Sequence, residues 1–193
     1  MAMSDLPRAA PTTAVTESRG PRLEDLIERT ARGDVDALGA LFAMHAPLVH
    51  RTALRLTLSP DEADDIVQEV FIGLPRALTR YSERGTFDAW LRMLAVRVSL
   101  MRLRMARTHQ QLWQGPSDTR ATADEGQRYV QRASIAEALA RLPEDQRLVF
   151  TLKVVEGYTH DEIARELGVT RNTSEVRLFR AIRRLRAILE SDA

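Results

Sequence analysis

The chain is expected to fold as all-α, in two small helical domains joined by a flexible linker, and three observations support this. Apolar residues recur three and four apart over most of the 193-residue chain, the period of an amphipathic helix. Helix-start signals stand directly before those stretches, as in Ser59-Pro60-Asp61-Glu62 and Thr159-His160-Asp161-Glu162. Between residues 108 and 130 the period is lost among Gly115, Pro116, Gly126 and polar side chains. The expected layout is a disordered tail over 1–21, a helical domain over 22–107, a linker over 108–130 and a second helical domain over 131–193.

Met1 to Pro21 mixes Pro7, Pro11 and Pro21 with charged residues and lacks the apolar middle of a signal peptide, which predicts a tail on a cytoplasmic protein. Leu23, Leu26 and Ile27 start a short helix that Gly33 can end, and Asp34 can cap the next. There Leu38, Leu41 and Phe42 keep helical spacing, and Leu48, Val49, Leu54 and Leu56 follow beyond Pro47. Ser59 opens a helix with a first-turn proline and a capping-box glutamate. Ile66, Val70, Leu74 and Leu78 mark its inner face, while Gly73 and Pro75 are expected to kink or end it. A turn over Tyr81 to Gly85 leads into a helix from Phe87 to about Arg107. Beyond the linker, Ile135, Leu139 and Leu142 resume the pattern. Pro143 opens a helix holding Leu148, Val149, Leu152 and Val155, and Gly157 closes it.

Composition excludes several kinds of chemistry. The chain has no cysteine, which removes disulfides, thiolate zinc sites, iron–sulfur clusters and cysteine nucleophiles. His45, His50, His109 and His160 lack metal-ligand spacing, Gly73 and Gly85 stand alone without a phosphate loop, and no Gly-x-Ser-x-Gly elbow occurs. The expectation is therefore a protein with no catalytic residues, no metal and no cofactor. No apolar run approaches the roughly 18–20 residues of a membrane span.

The formal net charge of +1 hides a partition, and every basic residue except Lys153 is arginine. Ser59 to Glu69 carries five acids and no base, Ala89 to Arg107 five arginines and no acid, and Arg171 to Arg186 six arginines against Glu175. Acidic and basic blocks in a near-neutral chain predict two kinds of partner surface.

The C-terminal segment has helix–turn–helix spacing. Thr159 and Glu162 form a capping box, Ile163 and Leu167 give the first helix an inner face, and small Ala164 permits close packing. Gly168 supplies a left-handed turn, Val169 plugs it and Thr170 caps the second helix. Such a second helix enters the major groove with its N-terminal residues on base edges. Arg171, Asn172, Ser174, Glu175 and Arg177 are the candidate readers, since arginine pairs with guanine, asparagine with adenine, and glutamate accepts from cytosine. Arg180, Arg183, Arg184 and Arg186 are placed to meet phosphates. The alternative for these arginines is a solvated face on a bundle helix.

Two further segments extend the pattern: the acidic amphipathic DEADDIVQEVFIGL, and TRYSERGTFDAWLRMLAVRVSLMRLRMAR, a polar loop followed by an arginine-rich helix. With the linker and the helix–turn–helix, this order resembles the extracytoplasmic-function (group IV) sigma factors of bacterial RNA polymerase, over about residues 22 to 190. The resemblance implies a promoter-specificity factor that binds core RNA polymerase, recognises −10 and −35 elements and helps open DNA. It implies that Asp61, Asp64, Asp65, Gln68, Glu69 and Phe71 dock on the clamp helices of the polymerase large subunit. It implies that the loop with Tyr81, Ser82, Glu83, Arg84 and Thr86 captures a base flipped from the melted −10 element. Trp90 would stand beside that base, and Arg92, Arg97, Arg102 and Arg104 would hold the strand backbone. Core packing is the alternative role for Phe87 and Trp90.

By the same resemblance, the second domain reads the −35 element as duplex, with Arg180 beside the readers named above, and the linker threads toward the active-site and RNA-exit channels. Implied partners are core RNA polymerase, promoter DNA and an anti-sigma protein.

The sequence departs from the family pattern at four places. Arg97 and Met101 stand where the −10 helix usually has asparagine and aspartate. Pro75 replaces a large side chain of the docking helix, and Ser174-Glu175 replaces Val-Lys in the recognition helix. These departures predict an unusual promoter preference. Two other readings remain open: a sigma-like decoy that binds an anti-sigma protein, and a helix–turn–helix regulator that works without polymerase.

Overall fold

Helix boundaries in the computed structural model, which describes residues 22–82, 85–113 and 135–191, follow the capping chemistry written in the sequence. Helix α1 (Leu23–Ala31) ends before Gly33, whose φ of +90° lies in the left-handed region. The Asp34 carboxylate then accepts the N–H groups of Asp36 and Ala37 at 3.0 and 3.1 Å and starts α2 (Val35–Thr57). This helix runs through Pro47. Leu41 before the proline and Val49, Ala53 and Leu56 after it are all buried, so packing on both sides offsets the missing backbone donor.

Leu58 ends α2 with φ +60°, the one non-glycine left-handed residue among those described, and donates its N–H to the Leu54 carbonyl at 2.9 Å. A β-carbon in that conformation costs about 1 kcal/mol. Leu58→Gly is therefore expected to stabilise the fold by about 0.5–1 kcal/mol, seen as a higher thermal midpoint. A lower midpoint would mean that the leucine contributes more by packing than it loses in strain.

Helix α3 (Pro60–Leu78) begins where Ser59 Oγ accepts the Glu62 N–H at 3.3 Å. The expected break at Gly73 and Pro75 does not occur. Leu74 and Leu78 are buried on the same stripe as Ile66 and Val70, and that continuous packing carries the helix past the residues that would end it alone. Helix α4 (Phe87–Trp113) likewise runs beyond the boundary expected near Arg107, so residues 108–113 of the expected linker are helical. No glycine or proline intervenes before Gly115, and Thr108 Oγ1 bonds back to the Arg104 carbonyl at 3.0 Å. The tail over 1–21 and linker residues 114–130 lie outside the described residues.

The first four helices share one core, with Leu26, Leu41, Val49, Ile66, Val70, Leu74, Phe87 and Leu91 at its centre. The C-terminal bundle comprises α5 (Ile135–Ala140), α6 (Glu144–Phe150) continued by a π-helical turn (Thr151–Val155), α7 (His160–Leu167) and α8 (Arg171–Ser191). There Ala138, Leu139 and Leu142 pack against Ala181 and Leu185. A third cluster joins the two bundles: Leu56, Val96 and Leu100 meet Leu148, Val149, Leu152, Tyr158 and Ile163. No strand occurs among the described residues, and no described helix is long and apolar enough to cross a membrane.

Candidate protein and nucleic-acid interfaces

Helix α3 carries its acids in two stripes. Glu62, Asp65 and Glu69 face α4, where Arg102 gathers them: its Nε lies 2.8 Å from Glu69 Oε2, and its Nη1 lies 3.0 Å from Asp65 Oδ2 and 3.6 Å from Glu62 Oε2. Hydrogen bonds to Glu69 and then Asp65 raise the Arg102 guanidinium above its ordinary value, against the opposing effect of burial. Arg102, expected on the DNA backbone, ties α4 to α3 instead. Asp61, Asp64 and Gln68 form the outward stripe and are exposed, with Asp64 3.4 Å from His50 Nε2.

Phe71, expected on the docking surface, is only 4% exposed and packs edge-to-face on Phe42 at 4.9 Å. Its place on the surface is taken by Ile72, 80% exposed, beyond Gln68 on the outward side. The sequence signal for Ile72 was the acidic helix itself: continuing the 61, 64, 68 stripe by one turn reaches it.

At the start of α4 four rings meet. Tyr81 and Trp90 are 4.9 Å apart, Phe87 stacks on Trp90 at 5.7 Å, and His45 stands edge-on to Phe87 at 5.0 Å. His45 Nδ1 also lies 3.0 Å from Asp88 Oδ1, tying α2 to the first turn of α4. Phe87 is a core residue, whereas Tyr81 and Trp90 are half-buried at the rim. Ser82 and Thr86 are exposed beside them, and the Thr86 hydroxyl accepts the Ala89 N–H at 3.3 Å as a cap. Glu83 and Arg84 lie outside the described residues. Arg92 is half-buried, with its Nε 3.4 Å from the Asp88 carbonyl, and Arg97 is exposed with its Nε 3.7 Å from Glu166. An aromatic ledge flanked by hydroxyls and arginines can stack and bind an unpaired base, and each stacked base contributes about 1–3 kcal/mol.

The helix–turn–helix forms from its caps inward. The Thr159 N–H and hydroxyl donate to Glu162 Oε2 at 2.8 and 2.7 Å, and the Glu162 N–H returns to the hydroxyl at 3.2 Å. These bonds hold the Glu162 carboxyl below the usual range, so its stabilisation is complete above ordinary carboxylate pKa values and is lost as pH falls through the depressed one. Glu162→Ala is expected to cost about 0.5–1 kcal/mol at neutral pH. Denaturant melts should show that difference vanish in acid. Gly168 turns the chain at φ +65°, and Thr170 Oγ1 accepts the Thr173 N–H at 3.1 Å to cap α8.

On α8 the expected readers divide. Arg171, Asn172, Glu175 and Arg180 are exposed. Arg171 is fixed by two carboxylates, Nε to Glu175 Oε1 at 2.9 Å and Nη1 to Asp161 Oδ2 at 3.2 Å, and this pairing lowers the Glu175 carboxyl below its usual range. Ser174 is withdrawn from the surface. It shares the buried face with Ala181 and Leu185, and its Oγ is 2.9 Å from His160 Nδ1 on α7. The serine that replaces an apolar residue there has its own polar partner. Arg177 is 27% exposed and its Nε bonds Asp145 on α6 at 3.1 Å, so it braces the bundle rather than projecting freely. Arg183, Arg184 and Arg186 are exposed farther along.

Comparison with known proteins places these surfaces in context. Residues 41–108 match the family Sigma-70 region 2, and residues 132–185 match Sigma-70, region 4. The chain is 30% identical over 166 residues to the ECF RNA polymerase sigma factor SigM of Mycobacterium tuberculosis, covering 86% of this chain and 83% of that one. Among solved structures, CnrH in complex with the cytosolic domain of CnrY is 26% identical with a TM-score of 0.50, covering 87% of this chain and 97% of that one. The sigma factor RpoE in complex with the anti-sigma factor NepR from Bartonella quintana shares the fold, with a TM-score of 0.55 at 21% identity, covering 80% of this chain and 98% of that one.

Proposed function

The chain belongs to the extracytoplasmic-function sigma factors of the sigma-70 family, and from that premise we propose how it divides the work of promoter selection. The outward stripe of α3, with Asp61, Asp64, Gln68 and Ile72 and the flanking carboxylates Asp65 and Glu69, docks on core RNA polymerase. Tyr81, Ser82, Thr86 and Trp90 receive an unstacked −10 base, and Arg92 and Arg97 hold the strand backbone. Arg171, Asn172, Glu175 and Arg180 meet the −35 duplex. The polymerase supplies the chemistry in the cytoplasm, and this chain contributes address and strand opening without a catalytic step of its own. An anti-sigma protein is the expected negative partner, as NepR is for RpoE.

The observation that carries this reading is the pairing in one chain of two surfaces of different chemistry: an acid-faced helix beside an aromatic ledge, and a capped helix–turn–helix whose second helix is arginine-rich. A regulator acting without polymerase has no use for the first. The test is run-off transcription with bacterial core polymerase on fragmented genomic DNA of the source organism, with RNA 5′ ends sequenced. New starts sharing two upstream elements are the expected result. Binding to core without new starts would favour a decoy, and neither binding nor starts would favour a polymerase-independent regulator.

A further inference from the structure

At the first turn of α8 one guanidinium meets two carboxylates. Arg171 Nε donates to Glu175 Oε1 at 2.9 Å, one turn along the same helix, and its Nη1 donates to Asp161 Oδ2 at 3.2 Å, on the first turn of α7. The side chains of Arg171, Glu175 and Asp161 are 62%, 45% and 65% exposed, so the cluster faces outward and is not a buried brace. An arginine has five N–H donors. Two are engaged here, which leaves three on Nη1 and Nη2. The second oxygen of Glu175 meets no donor among the described residues.

The charge of this corner decides what it can touch. Arg180, Arg183, Arg184 and Arg186, exposed farther along α8, suit phosphates. Arg171 does not, because a phosphate drawn to it also approaches Asp161 and Glu175, two negative charges against one positive. A neutral acceptor on a base edge meets no such repulsion.

We propose that these three side chains form a preset reader of a guanine–cytosine step in the −35 element. Arg171 takes O6 and N7 of a guanine, and Glu175 accepts from the N4 amino group of a cytosine in the same or the neighbouring base pair. Asp161 touches no base and is a positioning residue that holds the guanidinium. The inference rests on the assignment of α8 to the −35 duplex.

The choice of bases follows from their donors and acceptors. Guanine alone presents two acceptors side by side in the major groove. Adenine and cytosine both present an amino donor, but adenine sets the N7 acceptor beside it, which repels a carboxylate, and cytosine does not. Holding Arg171 in place beforehand reduces the side-chain entropy lost on contact, while the two acids weaken attraction to DNA at large. Removing an acid therefore moves affinity and selectivity in opposite directions.

The test starts from the −35 element mapped by run-off transcription with the full chain on bacterial core polymerase. In that template guanine is replaced by 7-deazaguanine, which lacks the N7 acceptor, and cytosine by N4-methylcytosine, whose methyl takes the place of the groove-facing amino hydrogen. Base pairing is kept in both. Starts are counted for the parent chain and for Glu175→Ala, Asp161→Ala and Asp161→Asn. Each base change is expected to lower starts from the parent about tenfold. Glu175→Ala should ignore the cytosine change. Asp161→Ala should lose most of the response to the guanine change yet bind unrelated duplex at least as tightly as the parent. Asp161→Asn keeps an acceptor oxygen for Nη1 and should recover the response. An element with no guanine–cytosine step sensitive to these changes, or variants that respond as the parent does, overturns the reader and leaves the sigma-factor reading intact. Starts from Asp161→Ala that fall by one factor on every template overturn its positioning role. Absence of starts from the parent removes the reading on which the proposal rests, and the proposal with it.

Discussion

A chain carrying Asp65→Arg and Glu69→Arg fails to co-purify with core RNA polymerase, with affinity reduced by about a hundredfold or more. The reversal replaces two carboxylates of the docking face with positive charges. It also strands Arg102, which holds those carboxylates at 3.0 and 2.8 Å, so a loss of binding alone could reflect a loosened contact between α3 and α4. A companion variant separates the two causes. Adding Arg102→Glu restores the ion pairs with their signs exchanged, which should return the melting behaviour toward that of the parent. Core binding should remain lost, because the surface presented to polymerase is still inverted. Recovery of co-purification in the triple variant would show that Asp65 and Glu69 act only by bracing the helix pair, and the docking face would then reduce to Asp61, Asp64, Gln68 and Ile72.

The second expected result concerns two arginines that the sequence ranks equally and the structure separates. Arg171→Ala weakens recognition of one −35 position by about ten- to a hundredfold, the range of a lost bidentate base contact. Arg177→Ala leaves promoter preference in place and instead lowers stability by less than about 1 kcal/mol, as a partly exposed ion pair would. The reason is geometric. Arg171 sits at the first turn of α8, exposed and aimed by Glu175 and Asp161, while Arg177 reaches back to Asp145. Once 5′-end mapping has defined the −35 element, the two variants are compared on templates substituted at each position. If Arg177→Ala relaxed a position as strongly as Arg171→Ala, the reading face would have to be rotated toward α6.

Most of the helical layout was legible because it depends on local chemistry. Ser59, Thr159 and Asp34 cap where their side chains reach the next backbone N–H groups, and Gly33 and Gly168 turn the chain where a β-carbon would be strained. The break expected at Gly73 and Pro75 is absent. Both residues are costly in an isolated helix, yet α3 continues through them because Leu74 and Leu78 are buried on the stripe begun by Ile66 and Val70. Propensity is local, and the packing that overrides it is not.

The candidate surfaces divide in the same way. Residue type and helical period placed the acids on α3, the rings at the head of α4 and the arginines on α8. Period marks Ile66, Val70, Leu74 and Leu78 as the inner face of α3 but not how wide that face is, and it leaves the inward side of α8 open; Phe71 and Ser174, expected at the surface, belong to the interior, and Ile72 stands exposed. Ser174 has a partner, His160, fourteen positions away on another helix, a relation that spacing along one helix does not reveal.

By itself the sequence determined the all-α class, the helix caps, the helix–turn–helix and the chemical character of each surface, because these follow from side chains and their nearest neighbours along the chain. The tertiary structure decided which of those side chains remain free. Arg102, Arg97, Arg107 and Arg177 read alike as unpaired cations in the sequence. Folding brings each to a carboxylate on another helix, because ion pairing depends on distance in space, which only the packed bundles set.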